Sequence, residues 1–479
     1  MPFDAHYKPC DALSALGEGF GQVAAPARFP EAALRFRNQR HARRVGLGSL
    51  DEGQWRRAFW ELLPLPQSLP APVAMRYHGH QFHHYNPELG DGRGFVLSQL
   101  RDSPQGRLLD LGTKGSGRTP WSRSGDGRLT LQGGVREVLA TELLEALGVN
   151  TSKSLSLFET GERLQRHDEP SPTRSAILVR LSHSHIRFGT FECHAYERNP
   201  RRLVRLVEYC AEHLLPEIAD EPDLPMALMR AVVRRTAVLT ASWMVAGFVH
   251  GVLNTDNMSI TAESFDYGPY RFLPRYDEQF VAAYFDHNGL YAYGRQPAAV
   301  IWNLARLAEA LGHIAPSGAL SDTIYGFMPT YLKAYRARFL ARLGVLPRGE
   351  QADEGLIEAV HAFLSGSAVG YERFFFDWYG GMASARRALD GMASVRYDGA
   401  AFGAMRRKLR RYEPAHPGRL RHPYFERREP CTLLIDELRQ IWHQIVQDDD
   451  WSAFERRIED IRLMGEALFE PSLHGSVEA

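Results

Sequence analysis

Cysteine is scarce: four in 479 residues, at Cys10, Cys193, Cys210 and Cys431. They are scattered without CxxC spacing, which excludes a disulfide framework and a thiolate zinc site and makes a reducing cytoplasm the expected compartment. Charge of one sign is missing as well, since 57 Lys and Arg balance 57 Asp and Glu. A neutral chain is not built for general nucleic-acid or membrane binding, so neither is expected as a partner. No long apolar run is free of interruption. The longest, 236–253, contains Ser242, Gly247 and His250 and follows Arg234 and Arg235, so it reads as a buried helix and not a membrane span. The first twenty residues carry Asp4, Asp11 and Glu18 and no apolar core, unlike a secretion signal or mitochondrial presequence. No internal repeat is present.

The chain is 44% hydrophobic, enough for a large core in two or three lobes. Along it, 1–75 reads as loops and short helices, including one over 54–66 closed by Pro64 and Pro66. The basic run 35–45 reads as an amphipathic or solvated face. Strand-like segments follow at 95–100, 108–114, 154–158 and 176–181, with a periodic helix over 135–148 that Gly148 stops. From Leu203 helical patterns dominate, and the basic run 405–412 reads as a solvated helix face. A strand-rich first half and helix-rich second half predict an α+β, protein-kinase-like, two-lobed fold. The predicted divisions are an N-terminal extension (1–75), an N-lobe (76–195), a helical C-lobe (196–400) and a C-terminal helical extension (401–479).

The changeover holds the most informative stretch, 248–269, with Asn254, Asp256 and Asn257 close together and Asp266 in a DYG triplet ten positions on. Asn and Asp cap turns everywhere. If the residues between them form a hairpin, however, the two carboxylates and the amide converge as a base and two oxygen ligands for Mg²⁺ in a phosphate-transfer site. Upstream, Gly90, Gly92 and Arg93 in LGDGRG form a glycine turn before a strand, where backbone N–H groups and an arginine can meet phosphate. GTKGSGRT (112–119) approximates a P-loop, but Pro120, Gly125 and Gly127 forbid the helix a P-loop must enter. Lys114 instead stands at a strand-to-loop junction, as the phosphate-pairing lysine of a kinase does. Its partner would come from the helix 135–148, where periodicity alone leaves Glu137 and Glu142 open. His78, His80, His83 and His84 invite zinc through the i, i+4 pair 80/84, but Gly79 and Pro87 oppose a helix there. Arg180 and Arg187 at one sheet edge suit polyphosphate, or else surface ion pairs.

GHQF (79–82), LGDGR (89–93), KGSGRTPWSR (114–123), GDGR (125–128), IRFG (186–189), GFVHGVLNTDNMSI (247–260), DYGP (266–269) and WNLARL (302–307), in this order, resemble the SelO/YdiU family. The resemblance spans about 75–310. It implies a kinase fold that binds ATP flipped and transfers AMP to Ser, Thr or Tyr hydroxyls of acceptor proteins, with Mg²⁺ or Mn²⁺ as cofactor and UTP as an alternative donor. It also implies Asp256 as base, Asn257 and Asp266 as metal ligands, and Gly90, Gly92, Arg93, Lys114, Asp126, Gly127, Glu137, Arg180, Arg187 and Asp266 around the nucleotide. The family's spacing picks Glu137 as the partner of Lys114. Gly133-Gly134 and Thr113 depart from the family pattern, as does the stretch after about Ala400. The last eight residues lack the family's C-terminal cysteine or selenocysteine, so redox control of that kind is not expected. An ordinary kinase and a nucleotide-sensing pseudoenzyme are the other readings; intact Asp256, Asn257 and Asp266 weigh against the second.

Overall fold

The structure, a computed structural model, describes residues 3–103, 105–167 and 169–469. The chain's last eight residues, and with them the expectation about a C-terminal cysteine, lie outside that range. Among the described residues a nine-stranded antiparallel sheet runs in the order Gly21–Val23, Val73–Met75, Val96–Arg101, Leu108–Lys114, Thr173–Ser182, Lys153–Leu164, Ala33–Arg37. Pro9–Cys10 pairs with Val96–Arg101, and Leu129–Thr130 with Thr173–Ser182.

The strand Thr173–Ser182 explains why its centre is continuously apolar. Alternate side chains of a strand point to opposite faces. Ala176 and Leu178 join one core with Val135, Val138 and Leu139 of the helix Leu131–Ala146. Ile177, Val179 and Leu181 join a second core with Trp55 and Phe59 of the helix Glu52–Phe59. Both faces are therefore dry, and both need apolar residues.

That second core corrects the expectation for the N-terminal residues. The segment 1–75 does not merely mix loops and short helices: it supplies four strands and the helix that roofs one face of the sheet. Of the two readings of the basic run 35–45, the amphipathic one holds: Phe36, His41, Ala42 and Val45 are buried while Arg40 and Arg43 are exposed. The run is part strand and part helix, with His41 buried against Glu145 at 3.0 Å and Arg35 paired to Glu159 at 2.7 Å.

Helices dominate after Phe188. Leu224–Val245 is capped by Asp223, opened by Pro225, and buried along most of its length. It packs on Gln296–Leu311 and Phe327–Leu343, and 236–245 of the apolar run belong to it. No helix among the described residues is long and apolar enough to cross a membrane. The last helix, Ser452–Leu468, returns to the N-terminal half, where Arg462 grips Glu142 through Nε (2.8 Å) and Nη2 (3.1 Å). The result is α+β, with a sheet-based lobe and a helical lobe divided as in protein kinases.

Candidate active site

The stretch 248–269 closes on itself. Phe248–Val249 pairs antiparallel with Arg271–Phe272, joining its two ends. Between them Thr255–Asn257 forms one tight helical turn, and Asp266 sits at φ 61°, a left-handed conformation that Asp tolerates better than most residues. The Arg187 guanidinium ties the two acidic positions together. Its Nη1 donates to the Asp256 carbonyl and to Asp266 Oδ2, both at 2.8 Å.

Three cations surround one carboxylate. Asp266 Oδ1 accepts from Arg180 Nη1 at 2.7 Å and lies 3.4 Å from Lys114 Nζ, while Arg187 holds Oδ2. Glu137 closes the ring, with Oε2 at 2.5 Å from Lys114 Nζ and Oε1 at 3.0 Å from Arg180 Nη1. Of the two glutamates that helix periodicity leaves open, Glu137 faces the lysine and Glu142 binds Arg462 and Asn38. Burial works against the Asp266 charge, yet Arg180, Lys114 and Arg187 together hold its carboxyl well below the usual range.

Asp256 is the opposite case. Its Oδ1 is buried with no hydrogen-bond partner. Burial, aided by the charges of Asp266 and Glu192 and opposed by Arg187, pushes its carboxyl up to about 7. Two nearby carboxyls with pKa values driven apart are the signature of divided acid–base and charge-holding roles. Asn257 donates Nδ2 to the Val252 carbonyl at 2.9 Å, which assigns its Oδ1 as the atom left to ligate. That oxygen and the Asp266 carboxylate form a hard, sulfur-free donor set that suits Mg²⁺ or Mn²⁺. Asp266 Oδ1 already accepts from Arg180 and Lys114, but Oδ2, which accepts from Arg187, keeps a second lone pair.

The glycine loops have structural duties of their own. A Cβ at Gly90 would lie 2.4 Å from Trp121 Cγ, and one at Gly92 2.9 Å from the Trp121 carbonyl. Thr119 and Ser122 donate their hydroxyls to the carbonyls of Asp91 and Gly92, stapling the two loops together. Gly127 has φ +72°, and its carbonyl accepts from the Gly117 N–H at 3.2 Å. Arg93 is exposed and forms no ion pair among the described residues. Asp126, also exposed, is held by Arg166 Nη1 at 2.8 Å and by the Arg128 amide. These two therefore stay apart from the buried cluster. The departures at Thr113 and Gly134 are packing features: the Thr113 hydroxyl bonds Ser116 at 2.6 Å, and a Cβ at Gly134 would meet Leu157 at 2.6 Å.

Two features escape sequence reasoning. Asp91, inside the glycine turn, accepts from Arg187 Nη2 at 3.2 Å and from the Met75 N–H at 3.1 Å, so it fixes the guanidinium that links Asp256 and Asp266. The histidine segment is a hairpin, Gly79–Gln81 with His84–Asn86, turning on Phe82 and His83 at positive φ. The 80/84 pair therefore shares no helix face, and among the described residues the four histidines do not converge as ligands. The hairpin instead clamps the turn. The His80 N–H donates to Thr255 Oγ1 at 2.7 Å, Glu192 binds both His80 and Thr255, and Phe82 N–H and Tyr291 Oη donate to Asn254 Oδ1. Thr255 was the available signal, being the one hydroxyl within the Asn254–Asn257 turn.

The family model described as protein adenylyltransferase SelO matches residues 3–462. A protein nucleotidyltransferase YdiU from Synechocystis is 41% identical over 470 residues, covering 95% of this chain and 98% of its own. One from Gloeobacter violaceus is 44% identical over 455 residues, covering 94% and 93%. A third, from Trichodesmium erythraeum, is 46% identical over 380 residues, covering 78% and 79%. With the match running from the first strands to the last helix, and with the lysine, glutamate and DYG aspartate assembled around one buried centre, the chain belongs to the SelO family of nucleotidyltransferases.

Proposed function

We propose that this protein transfers AMP from ATP to Ser, Thr or Tyr hydroxyls of acceptor proteins and releases pyrophosphate. The observation that carries this reading is the convergence of Lys114, Arg180 and Arg187 on Asp266 in the buried centre. One lysine suffices for the phosphates at the mouth of an ordinary kinase cleft. Two further buried guanidiniums suit a nucleotide whose β- and γ-phosphates lie deepest, leaving the α-phosphate for the acceptor. Gly90, Gly92, Arg93, Asp126 and Gly127 would line the approach of the nucleotide, with Arg93 free to reach it.

Asp256 takes the proton of the acceptor hydroxyl. The hydroxyl oxygen then bonds to the α-phosphorus, the bond from that phosphorus to the α,β-bridging oxygen breaks, and pyrophosphate leaves with the electron pair. Lys114, Arg180 and Arg187, themselves buried, stabilise its charge, since fixed cations act most strongly where little water screens them. Asn257 and Asp266 would hold Mg²⁺ or Mn²⁺, whose chemistry when bound is to neutralise phosphate charge. ATP is the donor in this reading, with UTP as an alternative, and nucleic acid and membranes are not partners. A cytoplasmic setting agrees with four free cysteines. The residues that carry these parts fall within 76–195 and 196–400, with 1–75 completing the sheet of the first lobe.

The coproduct tests the proposal. With ATP, Mg²⁺ and a protein acceptor, pyrophosphate should accumulate in step with acceptor labelling. Accumulation of ADP in its place would mean γ-phosphoryl transfer and an ordinary kinase.

A further inference from the structure

On the far side of the sheet from the second core, a cavity of about 800 Å³ opens between the end of the Glu137 helix and the helices Leu224–Val245 and Phe327–Leu343. Its size is that of a small-molecule pocket. Val149, Leu214, Val238, Leu239 and Phe469 give it an apolar wall. Arg101, Arg107, Lys153, Arg234, Arg235 and Arg338 also line it, against Glu145, Glu212 and Glu217. Asp102 holds Arg107 at 2.8 Å, Glu145 lies 3.8 Å from Lys153, and Glu217 lies 2.7 Å from Arg235 and 4.0 Å from Arg234, so the cations left to the cavity without a carboxylate of the described residues are Arg101 and Arg338.

Arg338 stands out among them. Among the described residues its one bond is from Nη1 to the Gly148 carbonyl at 3.0 Å, and no carboxylate of theirs pairs with it. Burial lowers its pKa with no acidic neighbour to offset the effect. Arg235 is also held low by burial, although Glu217 lies 2.7 Å away. A half-buried guanidinium that meets a carbonyl but no carboxylate, at the wall of a cavity, is placed to take up an anion.

We propose that this cavity is a second ligand site, for a small anion with an apolar body: an organic carboxylate, sulfonate or phosphate ester whose charge meets Arg338 and Arg235 and whose body lies on Val238, Leu239 and Phe469. The site also reaches the active centre. Asn150 and Ala262 line or border the cavity, and Asn150 Nδ2 donates to the Ala262 carbonyl at 3.1 Å. The Ser264 N–H donates to the Asn150 carbonyl, and the Ser152 N–H to the Ser264 carbonyl, both at 2.9 Å. Ser264 is two residues before Asp266. Gly148 and Glu145 end the helix that carries Glu137. A bound anion therefore stiffens both supports of the Lys114 cluster. None of this depends on which phosphate the active site transfers.

The test uses the full chain and 8-anilinonaphthalene-1-sulfonate, an aromatic sulfonate whose fluorescence reports binding. One saturable site is expected, not displaced by Mg·ATP. Arg338→Gln should weaken it about tenfold or more, the loss of one charge-assisted bond. Arg234→Glu, at an exposed rim position that folding tolerates, should weaken it in the same direction. Amide exchange at Ser152 and Ser264 should slow when the probe is bound. Equal affinity in both variants, or displacement by Mg·ATP, overturns the site; unchanged exchange at Ser152 and Ser264 overturns the coupling.

Discussion

At the scale of single residues, the environment of Asp256, the proposed base, dictates how the rate should depend on pH. A carboxyl pushed up to about 7 by burial is a base only when deprotonated. We expect kcat/KM to rise with pH through about 7 and level above it. Asp256→Asn removes the base and should lower kcat by roughly 10²- to 10⁴-fold while ATP binding, measured by calorimetry, stays near its original strength. The same shift has a consequence for stability. Folding raises this pKa from 3.8 to about 7, so the folded state favours the neutral form. The associated stability is full below pH 4 and is lost as pH rises toward 7. Asp256→Asn should therefore melt at a higher temperature than the parent at pH 8, with the difference vanishing near pH 4. A lower Tm for the variant at pH 8 would mean that the charged carboxylate is compensated after all.

Among the elements, the helix Leu131–Ala146 does two jobs with two glutamates. Glu137 reaches into the cleft, while Glu142 clasps Arg462 of the last helix and Asn38 of the N-terminal segment. Glu142→Ala leaves Arg462 without its carboxylate and Asn38 with the Ser154 carbonyl alone, and should destabilise by about 2–3 kcal/mol, read as a fall in Tm. Nucleotide affinity should change far less than it would with Glu137→Ala. Legibility in the sequence follows the same division. Periodicity revealed the helix, and apolar runs marked strands at 95–100, 108–114, 154–158 and 176–181; the last two in fact extend over Lys153–Leu164 and Thr173–Ser182, through polar residues with no apolar run to mark them. Neither periodicity nor spacing chose between Glu137 and Glu142; the resemblance to the family did. The strands at 9–10, 21–23, 33–37 and 73–75 are two to five residues long, too short for alternation to register. Asp91 and the His80–Thr255–Glu192 network were illegible for another reason: their partners are 96, 175 and 112 residues away.

For the whole molecule, the N-terminal segment is part of the sheet lobe. It places Trp55, Phe59 and Leu62 in the second core, each essentially without exposure. A chain shortened to begin at Tyr77 would expose one face of the sheet and lose four of its strands, leaving unpaired edges that promote aggregation. It should fail to give a soluble, cooperatively melting protein, even though most of the family's motifs survive in it. The kinase-like division puts Lys114 and Glu137 on the sheet lobe and Asp256, Asn257 and Asp266 on the helical side, so the buried ion cluster is also the junction between lobes. Occupation by ATP would exchange carboxylate contacts for phosphate contacts at that junction.

The direction of the bound nucleotide is the centre of this account. It is tested most directly by incubating the protein with Mg²⁺, a protein acceptor and ATP labelled at either the α- or the γ-phosphate. The account predicts label on the acceptor from α-labelled ATP alone, abolished in Asp256→Asn. Label from γ-labelled ATP alone would contradict it.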